Sequence, residues 1–199
     1  MSEREAGILV GLQDALLPQT DGSRDGAATG SGDSTDNTVQ AAARGLSHFG
    51  EHALGWFALS AAGAALTAKR PEQRNRWLEV GVSAFTAHAA SVVLKRVVRR
   101  KRPHDPRIRI GVSTPSKLSF PSSHSTSTAA ALVSTSRAVG NPLPMAGIPV
   151  MMLSRLILGV HYPTDVIAGV ALGVASEQVV HRTAACVAAP TEPVKESVR

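Results

Sequence analysis

Aromatic side chains are scarce in this chain: four Phe, two Trp and one Tyr among 199 residues, or 4%. Soluble cores lean on aromatic bulk, so a large water-soluble core is a poor fit. Cysteine is scarcer still. The single Cys186 excludes an intrachain disulfide and any cysteine-based metal cage. No run of carboxylates suggests a metal site, so neither metal nor cofactor is expected. A cleavable signal peptide is not expected either, because residues 8–17 are too short and mixed for its apolar core. Internal repeats are also missing. Acidic residues are in the minority: 15 Asp and Glu against 21 Lys and Arg give a formal charge of +6. A basic chain suits nucleic acid, a membrane surface or a phosphorylated substrate. Here the basic residues flank apolar runs, which favours the last two and argues against nucleic acid.

What is present falls into two regimes that the mean hydropathy of +0.03 conceals. Residues 1–45 form a polar tail. Its start reads as a short amphipathic helix with Ile8, Leu9, Leu12, Leu16 and Leu17 on one side. Residues 21–38, rich in Gly, Ser, Thr and Asp, read as disordered linker. Residues 46–182 form the main domain, and 183–199 a flexible C-terminal tail. Five apolar runs cross that domain: 52–68, 77–94, 125–139, 142–158 and 163–180. Each approaches the roughly 17–25 residues that cross a bilayer, several at the short end. Their Ala, Gly and Ser content suits close helix packing in lipid. The expected fold is all-α, a multi-pass transmembrane bundle of about five spans. Alternation across five spans puts the 95–124 loop and the 159–163 turn on the same membrane face. Which face that is stays open, because the basic residues of the two connecting regions vote for opposite orientations.

Three segments carry chemistry. Lys95 and Arg102 stand seven residues apart, two helical turns, before Pro103. They read either as a membrane-flanking anchor or as an ammonium and a guanidinium clamping phosphate oxygens. Pro121-Ser122-Ser123-His124 reads as a capped helix start. It is either only that cap, or a set of N–H and hydroxyl groups for phosphate with His124 as proton donor. The third segment holds Arg155, His161 and Asp165. An anion is favoured at the N-terminus of the helix that Pro163 opens. Asp165 is able to hold one His161 nitrogen protonated and leave the other free to attack. The alternative is a His–Asp pair that merely caps the helix. Arg155 speaks against it, since a cation at the end of an apolar helix needs an anion or water.

In order and in internal spacing, the three segments resemble the signature of the type 2 phosphatidic acid phosphatase family. The resemblance covers roughly residues 46–180; Ser123 stands where the family often has Gly. Residues 48–56, 87–99 and 102–107 are most similar to family members acting on phosphorylated polyprenyl lipids of the cell wall. The resemblance implies a metal-independent phosphomonoesterase of the plasma membrane working through a phosphohistidine. In it, His161 is the nucleophile, Asp165 its orienting partner and His124 the acid and base. Lys95, Arg102, Ser122, Ser123 and Arg155 hold the phosphate. A phosphorylated polyprenyl lipid and the bilayer are the expected partners, and the oligomeric state is left open. Three rivals remain at this stage. One is a broader lipid phosphatase. Another is a soluble vanadium haloperoxidase, a group that shares the oxyanion pocket. The third is a non-catalytic membrane protein whose basic loop binds anionic lipid or nucleic acid. His88 lies on the Lys95 face two turns deeper and reads as an internal hydrogen-bonding group or a headgroup contact.

Overall fold

The computed structural model describes residues 2–17, 32–50, 53–114 and 116–188. Among these residues seven α-helices follow one another: α1 (Ser2–Leu16), α2 (Gly32–Phe49), α3 (Leu54–Leu66), α4 (Pro71–Val98), α5 (Ser123–Val139), α6 (Gly147–Ile157) and α7 (Pro163–Ala188). A 3₁₀ turn, Leu143–Ala146, leads into α6. Among the described residues there is no strand, only an isolated bridge between Lys101 and Leu118.

Helix α5 is the axis. Almost every residue from Ser125 to Thr135 is buried, although many are Ser or Thr. Small side chains on its neighbours make that possible. A Cβ added to Gly173 of α7 would stand 2.2 Å from the Thr126 carbonyl oxygen, and one on Gly169 would stand 2.8 Å from that of Ser122. The two glycines, four residues apart on one face, let α7 lie against the α5 backbone. That contact joins the ends too: the Ser122 N–H donates to the Asp165 carbonyl at 3.0 Å. On the other flank, Gly63 of α3 meets the Trp77 ring of α4 with no room for a side chain.

Termini follow local rules. Pro71 opens α4 at a position where its missing N–H is no loss. Ser122 caps α5 through its hydroxyl, and Gly140 closes it in the left-handed conformation at φ 68°. Arg99 ends α4 at φ 54°, an unusual conformation for a residue with a side chain. Arg102 therefore lies in the loop beyond the helix, whereas its spacing from Lys95 predicts a shared helical face.

The outer surface is apolar, with Leu66, Leu78, Val82, Phe85, Val150, Ile167 and Val179 exposed. One described helix, α4, is by itself long and apolar enough to cross a bilayer, and only 33% of its apolar window is buried. The five expected spans coincide in position with α3, α4, α5, the 3₁₀ turn with α6, and α7.

The N-terminal region holds more structure than its composition suggests. Helix α1 packs on α6 and the 105–112 loop, burying Ala6 and Leu9 against Ile108 and Tyr162. Gln13, 1% exposed, donates to the Arg109 and Ile157 carbonyls at 2.8 and 2.9 Å and accepts from the Arg109 N–H at 2.9 Å. Helix α2 begins at Gly32, inside the stretch read as linker, and its C-terminal half packs on α6. Residues 18–31 of that stretch, and 189–199 of the expected C-terminal tail, lie outside the described residues.

At the end of the bundle remote from Ser122 and Asp165, Glu79, Glu177 and His181 form a cluster that composition alone does not reveal. Its groups have protein partners. Arg137 Nε stands 2.8 Å from the fully buried Glu177, and His181 Nδ1 lies 2.8 Å from Glu79.

Candidate active site

The start of α5, the ends of α2, α4 and α6, the turn between α6 and α7, and the 102–118 loop line a cavity of about 410 Å³. Six expected site residues line it: Lys95, Arg102, Ser123, His124, Arg155 and His161. Asp165 lies behind His161, and Ser122 lies beneath the cavity floor.

His161 sits in the turn between α6 and α7, only 2% exposed. Its Nε2 is 3.3 Å from an Arg102 terminal nitrogen. A guanidinium only donates, so the lone pair lies on Nε2 and the proton on Nδ1. Nδ1 in turn faces Asp165 Oδ2 at 3.7 Å, longer than a hydrogen bond. That tautomer leaves the nucleophilic lone pair on the nitrogen beside a phosphate-binding cation. Burial pushes the imidazole down to about 4, Asp165 opposes that, and the Arg102 and Lys95 charges reinforce it. The ring is therefore neutral at pH 7.

Asp165 is fully buried and accepts from the Tyr162 N–H at 2.8 Å and from Arg100 at 2.9 Å. Its place in the first turn of α7 follows from Pro163, which starts the helix.

The cations are held by neutral oxygens. Lys95 donates to the Pro121 carbonyl at 2.6 Å and the Ser119 carbonyl at 3.3 Å. Arg102 donates to the Val160 and Ser116 carbonyls at 2.7 and 2.8 Å. Burial lowers the Arg102 guanidinium to about 10, still charged at pH 7. Arg155 is 1% exposed; it reaches the Ser47 and Ser154 hydroxyls, each at 3.1 Å, and the Ala43 carbonyl at 3.4 Å. Among the described residues its partners are all neutral, and its Nε has none. A buried cation without a counter-charge, on the wall of a cavity, is matched to an anionic ligand.

Ser122 departs from the expected role. Its hydroxyl accepts from the Ser125 hydroxyl at 3.1 Å and caps α5, while its N–H is taken by Asp165. With both groups engaged it joins two helices, and it does not line the cavity. Ser123 does line the cavity, and its hydroxyl accepts from Ser91 at 2.9 Å. His124 Nε2 lies 3.0 Å from the Ser47 carbonyl, an acceptor only, so that nitrogen carries the proton. His88 also lines the cavity.

Sequence reasoning missed the part played by α2. Ser47 touches both His124 and Arg155, and His48 lines the cavity. No periodic pattern marks these residues; only the resemblance of residues 48–56 pointed toward them.

A neutral imidazole on the wall of a cavity that Lys95, Arg102 and Arg155 also line, with room for a phosphorylated headgroup, suits phosphoryl transfer on a helical bundle. The chain belongs to the PAP2 superfamily, whose sequence profile matches residues 76–185. It is 52% identical over 165 residues to the decaprenylphosphoryl-5-phosphoribose phosphatase of Mycolicibacterium smegmatis, covering 83% of this chain and 81% of that one. It is 54% identical over 177 residues to the enzyme of the same name from Mycobacterium tuberculosis, covering 87% and 89%. The fold resembles the crystal structure of a transmembrane PAP2 type phosphatidylglycerolphosphate phosphatase from Bacillus subtilis. There the TM-score is 0.57 at 21% identity, over 92% of this chain and 96% of that one. The protein is thus a PAP2-type phosphatase acting on a lipid phosphate.

Proposed function

We propose that this phosphatase acts in the plasma membrane as a bundle of about five spans. Its substrate is decaprenylphosphoryl-5-phosphoribose, which it converts to decaprenylphosphoryl ribose and inorganic phosphate. The observation that carries the reaction is His161, with its free Nε2 beside Arg102 and its Nδ1 facing Asp165. The identity above 50% to two phosphatases of that name supports the substrate.

In the first half-reaction, His161 Nε2 forms a bond to phosphorus while the bond to the ribose oxygen breaks. His124, protonated on both ring nitrogens once the phosphate dianion is bound, gives its Nδ1 proton to that leaving oxygen. Lys95, Arg102 and Arg155 offset charge on the equatorial oxygens, and the Asp165 carboxylate stabilises the charge that grows on the imidazole. In the second half-reaction, His124 takes a proton from water, the water oxygen bonds to phosphorus and the N–P bond breaks. Every part of this scheme is a side chain of the chain itself.

The test is phosphate release by purified protein in detergent, with EDTA present. The panel holds decaprenylphosphoryl-5-phosphoribose, a polyprenyl diphosphate, phosphatidic acid and phosphatidylglycerol phosphate. Preference for the phosphoribose lipid is expected. Equal turnover of all four would reduce the reading to a general lipid phosphatase. Silence on all four by folded protein would overturn it.

A further inference from the structure

The Asp165 carboxylate is held from behind by a chain of contacts that ends on the first helix. Arg100 donates one terminal nitrogen to Asp165 Oδ1 at 2.9 Å and to the Thr164 hydroxyl at 2.7 Å. Its other terminal nitrogen pairs with Glu5 Oε2. The second Glu5 oxygen accepts from the Thr164 hydroxyl and, at 3.4 Å, from the Thr164 N–H. Glu5 is 7% exposed, and the Arg100 guanidinium lies 4.3 Å from the centroid of the Tyr162 ring. The left-handed turn at Arg99 takes the chain off α4 just before Arg100.

We propose that Glu5 and Arg100 are positioning residues for the catalytic pair, so that α1 is part of the working site. This rests on the functional reading above. A carboxylate anchored at one oxygen still swings about its Cβ–Cγ bond. With Oδ1 on a guanidinium fork and Oδ2 on the Tyr162 N–H, the plane of Asp165 is fixed, and Oδ2 is the atom facing His161. Glu5 in turn fixes the fork, because a guanidinium with both ends engaged is unable to rotate. Neither residue lines the cavity, so neither serves to bind the phosphate.

The experiment compares full-length wild type with Glu5→Ala, Glu5→Gln, Arg100→Met, Arg100→Lys and the Glu5→Ala/Arg100→Met pair, each checked for folding by thermal unfolding in detergent. Turnover is measured on the phosphoribose lipid and on p-nitrophenyl phosphate. Glu5→Ala and Arg100→Met should each lower kcat by about 10-fold or more on both substrates, with KM within about twofold. Arg100→Lys should lose nearly as much, since an ammonium lacks the fork. Glu5→Gln, whose one amide oxygen accepts from Arg100 or from Thr164 but not from both, should recover only part of the Glu5→Ala loss. The double variant should be no slower than Arg100→Met alone, because both act along one chain of contacts. Unchanged kcat in folded variants, additive losses, or a loss carried by KM would overturn the proposal. A wild type silent on both substrates would instead sink the functional reading, so the two failures are separable.

Discussion

At the level of single residues, the site depends on protonation states that burial and partners impose. His161 is neutral because its surroundings repel a proton, and its tautomer is set by Arg102 on one side and Asp165 on the other. Replacing His161 with Ala removes the nucleophile and should lower turnover on the order of 10³-fold or more. Asp165→Asn, which keeps shape but no longer favours the Nδ1 proton, should cost on the order of 10³-fold. The same burial has a consequence for stability. The folded-state value of about 4 lies below the ordinary 6.5, so the unfolded chain binds more protons between those limits. Stability from His161 is therefore fully present above pH 6.5 and is lost as the pH falls toward 4. Thermal unfolding at pH 7 and pH 5 should show wild type losing about 2 kcal/mol more than His161→Asn. Adjacent serines should separate cleanly. Ser122→Ala removes a helix cap and should cost about 1 kcal/mol of stability with KM little changed. Ser123→Ala, facing the cavity, should act on KM while the melting temperature holds.

At the level of helices, the site is assembled by close backbone contacts. Asp165 meets Ser122 because Gly169 and Gly173 let α7 touch α5. A side chain at position 173 would collide with the Thr126 carbonyl, an atom that a helix is unable to move aside. Gly173→Leu should therefore lower the melting temperature and kcat together, while Gly7→Leu, at a position open in the structure, should change neither. The far end is held by charge. Glu177 is buried, and Arg137 is the cation beside it. Arg137→Ala leaves that carboxylate uncompensated and should cost about 3–5 kcal/mol, most of which an added Glu177→Gln should restore. Urea or thermal unfolding of the single and double variants checks this. Much of the helical layout was legible in sequence, because apolar runs and motif spacing are local signals. His161 and Asp165, four apart, announce their pairing by number, whereas Lys95 and Arg102 meet at the cavity by a loop that their spacing does not show, because α4 stops at Val98. Helix α1 was legible as an amphipathic segment, but α2 and the docking of both N-terminal helices were not. Their docking uses Glu5, Gln13 and Ser47, polar residues whose partners lie far off in the chain, at Arg100, Arg109 and Arg155. A composition rule sees only polarity there. Ser122 was misjudged for a related reason: sequence identifies a helix cap but not the second helix that takes its N–H.

At the level of the whole molecule, some surfaces suit lipid and others meet water. The apolar exterior of α3, α4, α6 and α7 suits lipid, while Lys117 is exposed on the loop between the cavity-lining Ser116 and Leu118. The chain supplies its own probe of this arrangement in Cys186, its only cysteine, exposed near the end of α7. In the proposed arrangement of about five spans, α7 leads from the active-site end at Pro163 to Ala188, and its 26 residues at about 1.5 Å each match the thickness of a hydrocarbon core. Cys186 and the cavity mouth should therefore lie on opposite sides of the membrane. A membrane-impermeant maleimide applied to intact spheroplasts and to inverted vesicles reads this directly. Cys186 in wild type should label in one preparation only, and Lys117→Cys in a Cys186→Ser background should label in the other. Whichever preparation labels Lys117→Cys also identifies the face from which substrate enters. If both cysteines label from the same side, α7 does not cross, and the arrangement of about five spans falls with it.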